Sequence, residues 1–154
     1  MTELCKQVLD CLKGKTLVTA ESCTGGMIGS LLTAVPGSSS VYKGGIISYT
    51  NQVKEAQLGV PADMLSQFGA VSENVAKAMA QGAAQKLDAD IAVSVTGLAG
   101  PDGDGSINPV GTVFIGYSDA NICFARKFCF DGNRQQVRIA AAEQALRIVL
   151  EMNK

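Results

Sequence analysis

The chain has 154 residues, 47% of them hydrophobic and 18% charged, with a formal net charge of −1 and no histidine at all. A chain of about 150 residues suits one domain, burying roughly 68–70% of its unfolded surface without staples. The near-neutral charge argues against binding to nucleic acid or an anionic membrane, and no apolar run approaches the roughly 20 residues of a membrane span.

Five cysteines, Cys5, Cys11, Cys23, Cys123 and Cys129, include no C-x-x-C pair. Without histidine they offer no zinc spacing, and most read as small core residues of a reducing compartment. Glu3, Lys6, Asp10 and Lys13 break up the N-terminus, which does not read as a signal peptide. The expectation is a cytoplasmic protein with no metal and no cofactor.

Residues 3–13 place Leu4, Val8 and Leu12 on one helical stripe after a Thr2 cap, with Gly14 as the stop. Thr16–Ala20 predicts a strand and Thr24–Val35 a helix opened by a hydroxyl residue and two glycines. Gly44–Tyr49 predicts a second strand. Thr50-Asn51 caps a short helix that carries Lys54 and ends near Gly59. Pro61 opens another, running to about Gln67. Ser72 caps a longer helix with Val75, Met79, Ala83 and Leu87 on one face. Ile91–Val95 predicts a central strand that runs into the glycine-rich loop Thr96–Gly105. Gly111–Tyr117 and Ile122–Phe130 form a hairpin about Ser118–Asn121, and a terminal helix follows Asp131-Gly132-Asn133. This order predicts a three-layer α/β/α sandwich on a mixed, mainly parallel sheet of about five strands. Ligands of such sheets bind at the carboxyl ends of the strands, where loops 21–26, 49–54 and 96–105 emerge.

The strand-to-helix turn Glu21-Ser22-Cys23 sits where unpaired N–H groups and a helix dipole attract anions. Ser22 there is either a nucleophile or a plain N-cap; Thr24 can also cap, which frees Ser22 to face outward. Cys23 is a rival nucleophile, because a helix N-terminus lowers a thiol pKa, or simply a buried small residue. Glu21 is a base or a partner for backbone donors near the turn. With no histidine, a lysine, tyrosine or carboxylate must act as base. Lys54, desolvated in a cleft, suits that task, with Tyr49 relaying a proton or polarising a carbonyl. Arg134 stands in the first turn of the last helix, where a cation opposes the dipole, and Arg138 follows one turn later. Either an anionic ligand or Asp131 answers that charge.

Together these segments resemble the CinA C-terminal domain family, the nicotinamide-mononucleotide (NMN) amidohydrolases. The matching pieces are Ala20–Gly26, Ser48–Asn51 with Lys54, Gly69–Ser72, Thr96–Gly103, Pro109–Val113, and Gly132–Arg134 with Arg138. The resemblance implies a usually dimeric domain that hydrolyses the NMN carboxamide to nicotinic acid mononucleotide and ammonia. It implies Ser22 as nucleophile, Tyr49 and Lys54 assisting, and an arginine of the last helix at the site. Glu21, Cys23, Thr24, Gly25, Gly26, Asn51, Thr96, Gly97, Gly100, Arg134 and Arg138 are expected to contact substrate. The N–H groups of Cys23 to Gly25 hold the oxyanion in this reading, and the glycine loop with an arginine holds the phosphate.

Two positions depart from the family pattern: Asn108 replaces a frequent lysine, and Asp104 adds an acid where adjacent glycines are usual. The N-terminal domain of longer CinA proteins is absent from the sequence, and its activities are not carried over. The alternative readings are a non-catalytic module that binds a pyridine nucleotide or other phosphate ligand, and an amidohydrolase with Cys23 as nucleophile.

Overall fold

A computed structural model describes residues 1–154. The elements run α1 (Thr2–Cys11), β1 (Leu17–Glu21), α2 (Met27–Thr33), a 3-10 turn (Ser38–Ser40), β2 (Tyr42–Ile47), α3 (Asn51–Leu58), α4 (Ala62–Phe68), α5 (Glu73–Leu87), β3 (Ile91–Gly97), β4 (Thr112–Ser118), β5 (Cys123–Cys129) and α6 (Arg134–Asn153).

The five strands form one sheet in the order β2-β1-β3-β4-β5. β1 lies parallel to both neighbours, while β4 runs antiparallel to β3 and to β5, so β4 alone points the other way. One apolar cluster, including Leu12, Ile28, Leu32, Ile115, Leu146 and Val149, lies under α1, α2 and α6. A second, including Val18, Leu58, Val60, Met79 and Ala92, lies under α3, α4 and α5. β1 and the first six residues of β3 are buried on both faces, as parallel strands between two helical layers must be. α5 approaches β4 closely at Gly116, where any Cβ would run into the Ala76 carbonyl. This is the predicted three-layer α/β/α sandwich with a mixed sheet. No helix is long and apolar enough to cross a membrane.

Register aligns the strand ends. Glu21 pairs with Ile47 on one side and with Val95 on the other, so Ser22, Ser48 and Thr96 emerge together at one edge. The Ser22 N–H donates to the Val95 carbonyl (2.9 Å) and the Ser48 N–H to the Glu21 carbonyl (2.8 Å), extending the ladder one residue past the strands.

Several boundaries differ from the sequence-based expectation. α2 begins at Met27, not Thr24, because Gly25 (φ 58°) and Gly26 (φ 98°) are left-handed and hold residues 24–26 in a turn. Thr24 does not cap it; its hydroxyl is buried without a partner. The cap comes from Glu21, whose carboxylate accepts the N–H groups of Ile28 (2.9 Å) and Gly29 (3.1 Å). Likewise α1 is preceded by Met1 and includes Thr2. β2 lies two residues upstream of its expected span, leaving Ser48 and Tyr49 free of the ladder. β3 runs on to Gly97 because its antiparallel pairing continues through Thr96 with Phe114 and Gly97 with Val113.

Candidate active site

Thr50 caps α3, its hydroxyl accepting the Val53 N–H at 3.3 Å. That fixes the helix phase so that Lys54 and Leu58, four residues apart, share the inward face. Leu58 enters the core, and Lys54 one turn earlier reaches the edge of the sheet. Its Nζ lies 2.9 Å from Ser22 Oγ and donates to the Ser48 carbonyl at 2.7 Å. Lys54 is only 1% exposed, and none of the ion pairs of the protein includes it. Burial without a counter-charge disfavours the ammonium and pushes its pKa down to about 8. Ser22 is thus joined to an amine that is neutral in about a tenth of molecules at pH 7 and in half near pH 8.

Cys23 is buried, and burial pushes its thiol up to about 11, too high for a thiolate at neutral pH. A helix N-terminus adjacent in sequence does not offset that desolvation.

Beside the dyad lies a cleft of about 280 Å³, walled by Ser22, Cys23, Tyr49, Asn51, Lys54, Ala70, Val71, Thr96, Gly97, Leu98, Ala99, Asp104 and Arg134. Tyr49 stands at its mouth, 58% exposed, and its hydroxyl accepts from Arg134 Nη2 at 3.0 Å. Arg134 Nη1 donates to the Gly100 carbonyl at 2.6 Å, tying the glycine loop to Tyr49. No bond joins the Tyr49 hydroxyl to Ser22 or Lys54; the dyad is direct. The Thr96 hydroxyl is turned to the Ala70 carbonyl (2.8 Å), which fastens β3 to the segment before α5. Asp104 is held in its ionised form by donors from Ser106 and adds one negative charge to the wall.

A family profile described as the CinA C-terminal domain matches residues 1–153. The chain belongs to the CinA C-terminal domain family. It is 48% identical over 135 residues to a CinA-like protein of Gemmatimonas aurantiaca, which covers 88% of this chain and 32% of that protein. It is 47% identical over 137 residues to a putative competence-damage inducible protein of Caldicellulosiruptor saccharolyticus, covering 89% of this chain and 33% of that one. The chain thus spans about a third of the length of these curated relatives. Among solved structures, the competence/damage inducible protein CihA from Agrobacterium tumefaciens superposes with a TM-score of 0.95 at 38% identity, covering 99% of this chain and 95% of that one. A competence or damage-inducible protein from Enterobacter asburiae gives 0.96 at 32% identity, with 99% and 98% covered.

In this CinA C-terminal domain, Ser22, Cys23, Tyr49, Asn51, Lys54, Thr96, Gly97 and Arg134 gather at one cleft. Other residues expected at the substrate lie elsewhere. Glu21, 2% exposed, turns its carboxylate away to the start of α2, where Thr19 Oγ1 also donates to it. Gly26 caps α2 beside Ile47, Thr24 is fully buried, and the Gly25 N–H is engaged by the Ser22 carbonyl at 3.0 Å. Gly100 offers only its carbonyl, to Arg134. Arg138 does not line the cleft and instead donates to the carbonyls of Cys23 (3.0 Å) and Thr24 (3.1 Å).

Ser48, Ala70 and Val71 were not expected at the site, and Leu98 and Ala99 were not singled out within the glycine-rich loop expected there. Ser48 contributes a carbonyl and the other four an apolar wall. Gly69-Ala70-Val71-Ser72 was a signal for that wall, but its apolar residues carried no chemistry that would mark them. Asn108 joins the same wall by donating from Nδ2 to the Val71 carbonyl at 3.1 Å.

Proposed function

We propose that the domain hydrolyses the carboxamide of NMN to nicotinic acid mononucleotide and ammonia by serine acyl transfer. The observation that carries this reading is the 2.9 Å contact between Ser22 Oγ and a buried lysine amine whose pKa is near 8. A general base works best when its pKa lies close to the operating pH.

Neutral Lys54 takes the Ser22 proton as Oγ bonds to the carboxamide carbon, and the carbonyl becomes an oxyanion. Collapse of that oxyanion breaks the C–N bond, and Lys54 returns the proton to the departing nitrogen as ammonia. Water then attacks the Ser22 ester, giving its proton to Lys54. The carboxylic acid leaves and Ser22 regains its hydrogen. The fixed bond from Nζ to the Ser48 carbonyl aims the amine throughout. The apolar wall of Ala70, Val71, Leu98 and Ala99 suits an aromatic pyridine ring, and Arg134 at the mouth suits a phosphate. The setting in this reading is a cytoplasmic homodimer in pyridine nucleotide salvage, as the family resemblance implies.

A non-catalytic module that binds a pyridine nucleotide or other phosphate ligand is the second reading, favoured by the departures from the family pattern at Asp104, which lines the cleft, and Asn108. Ammonia release from NMN, nicotinamide riboside, nicotinamide and NAD discriminates the two. Ser22→Ala is expected to abolish ammonia release with the fold intact, and Cys23→Ala to retain substantial activity. A lethal cysteine change with an active Ser22→Ala refutes the serine mechanism.

A further inference from the structure

The turn after Ser22 contains donors that the fold does not use. The N–H of Gly25 is engaged by the Ser22 carbonyl, but the N–H groups of Cys23 and Thr24 meet no acceptor in another residue. Cys23 lines the cleft and Thr24 does not, so of the two only the Cys23 N–H stands where a ligand can reach it, and a buried N–H without an acceptor is rare in a folded protein.

Arg138 governs where these groups point. From α6 its Nε donates to the Cys23 carbonyl (3.0 Å) and its Nη2 to the Thr24 carbonyl (3.1 Å), while Nη1 is steadied by Gln135 Oε1 (2.8 Å). Across a trans peptide the carbonyl oxygen and the following N–H point in opposite directions. Holding the Cys23 oxygen on the α6 side therefore turns the Thr24 N–H away from α6. The second Arg138 bond fixes the next peptide, keeping the Gly25 N–H on the Ser22 carbonyl and the turn closed. The planar guanidinium makes both bonds at once, as an ammonium cannot.

We infer that Arg138 is a positioning residue: by fixing the Thr24–Gly25 peptide it keeps the Gly25 N–H on the Ser22 carbonyl, and so leaves the Cys23 N–H, on the opposite side of the Ser22–Cys23 peptide, to receive the oxyanion formed when Ser22 attacks an amide. The inference rests on Ser22 being the acyl-transfer nucleophile, and it assigns Arg138 no contact with substrate. Losing one oxyanion donor costs about 10²–10³ in rate, and loosening one costs less.

The test compares wild type, Arg138→Ala and Arg138→Lys in three measurements: acylation of Ser22 by p-nitrophenyl acetate, kcat and KM for NMN, and thermal melting. In Arg138→Ala, acylation rate and kcat are expected to fall together by about 10- to 100-fold. KM should stay within about twofold, and millimolar guanidinium should restore part of kcat. Arg138→Lys, with one directed donor where two are needed, should fall between the two and decides the matter if the alanine variant does not fold. A raised KM with unchanged kcat overturns the inference in favour of direct ligand contact. A loss that only tracks the unfolded fraction at the assay temperature reduces Arg138 to a structural clamp. If wild type is acylated at Ser22 but releases no ammonia from NMN, the substrate assignment fails while acylation still tests Arg138. Absence of Ser22 acylation in the wild type overturns both.

Discussion

Replacing Lys54 with methionine removes a buried amine whose pKa lies near 8, against an ordinary value of 10.5. Between these values the unfolded chain binds more protons than the folded one, so wild-type stability rises with pH across that window. From pH 7 to 10 the lysine contributes a gain of about 2.5 kcal/mol that Lys54→Met lacks. For a domain of this size that corresponds to a Tm difference of about 5–10 °C opening between the two proteins over the same range. Cys23, raised to about 11 mainly by burial, works the other way above pH 9; it is present in both proteins, so most of its contribution drops out, and only its coupling to Lys54 remains, which makes pH 7 to 9 the cleaner part of the comparison. Differential scanning calorimetry in matched buffers at pH 7, 8, 9 and 10 measures the gap, and wild-type turnover should show a limb rising with an apparent pKa near 8. Parallel Tm curves would mean that Lys54 is not held at a low pKa, and the case for it as base would collapse with them.

Arg134→Ala is expected to weaken productive binding of NMN by roughly 10- to 100-fold and nicotinamide riboside far less, since a charge-assisted phosphate contact contributes about 1.5–3 kcal/mol. Equal losses for both substrates would refute a phosphate role. Glu21→Ala removes the acceptor of two N–H groups at the start of α2 and should cost about 2–4 kcal/mol in denaturant unfolding; an unchanged midpoint contradicts the capping assignment. Activity should survive dialysis against a strong chelator, because no metal takes part in the serine–lysine scheme; loss that zinc or magnesium restores would overturn it.

The layers and the succession of elements along the chain were legible because their signals are local. Ile91–Val95 is a continuous apolar run, Ser72 and Thr50 are capping residues in front of helical stripes, and Ser118–Asn121 separates two strand-length segments. Lys54 was legible by chemistry and resemblance: a chain without histidine needs another base, and this lysine follows Tyr49 on a short capped helix within a family-like motif. What the sequence left open depends on long-range contacts. Glu21 caps a helix that begins six residues later only because Gly25 and Gly26 fold the chain back. Arg138 and Arg134 lie one turn apart and read alike, yet one reaches the turn after Ser22 and the other reaches Gly100 and Tyr49. Nothing local separates them. The high pKa of Cys23 likewise follows from packing, whereas the sequence shows only its place before a helix.

In the proposed mechanism the nucleophile is an oxygen and its base a nitrogen, and the one sulfur beside them is kept protonated. Thiolates attack peroxides and disulfides and are oxidised in doing so, and a thiol held near 11 presents almost none at neutral pH. An amidase that relied on a cysteine–imidazole pair would stop during an oxidative burst until its sulfur was reduced again. A serine–lysine site has no such fuse, so the turnover proposed for this domain would be set by acidity through Lys54 and be indifferent to the redox state around it.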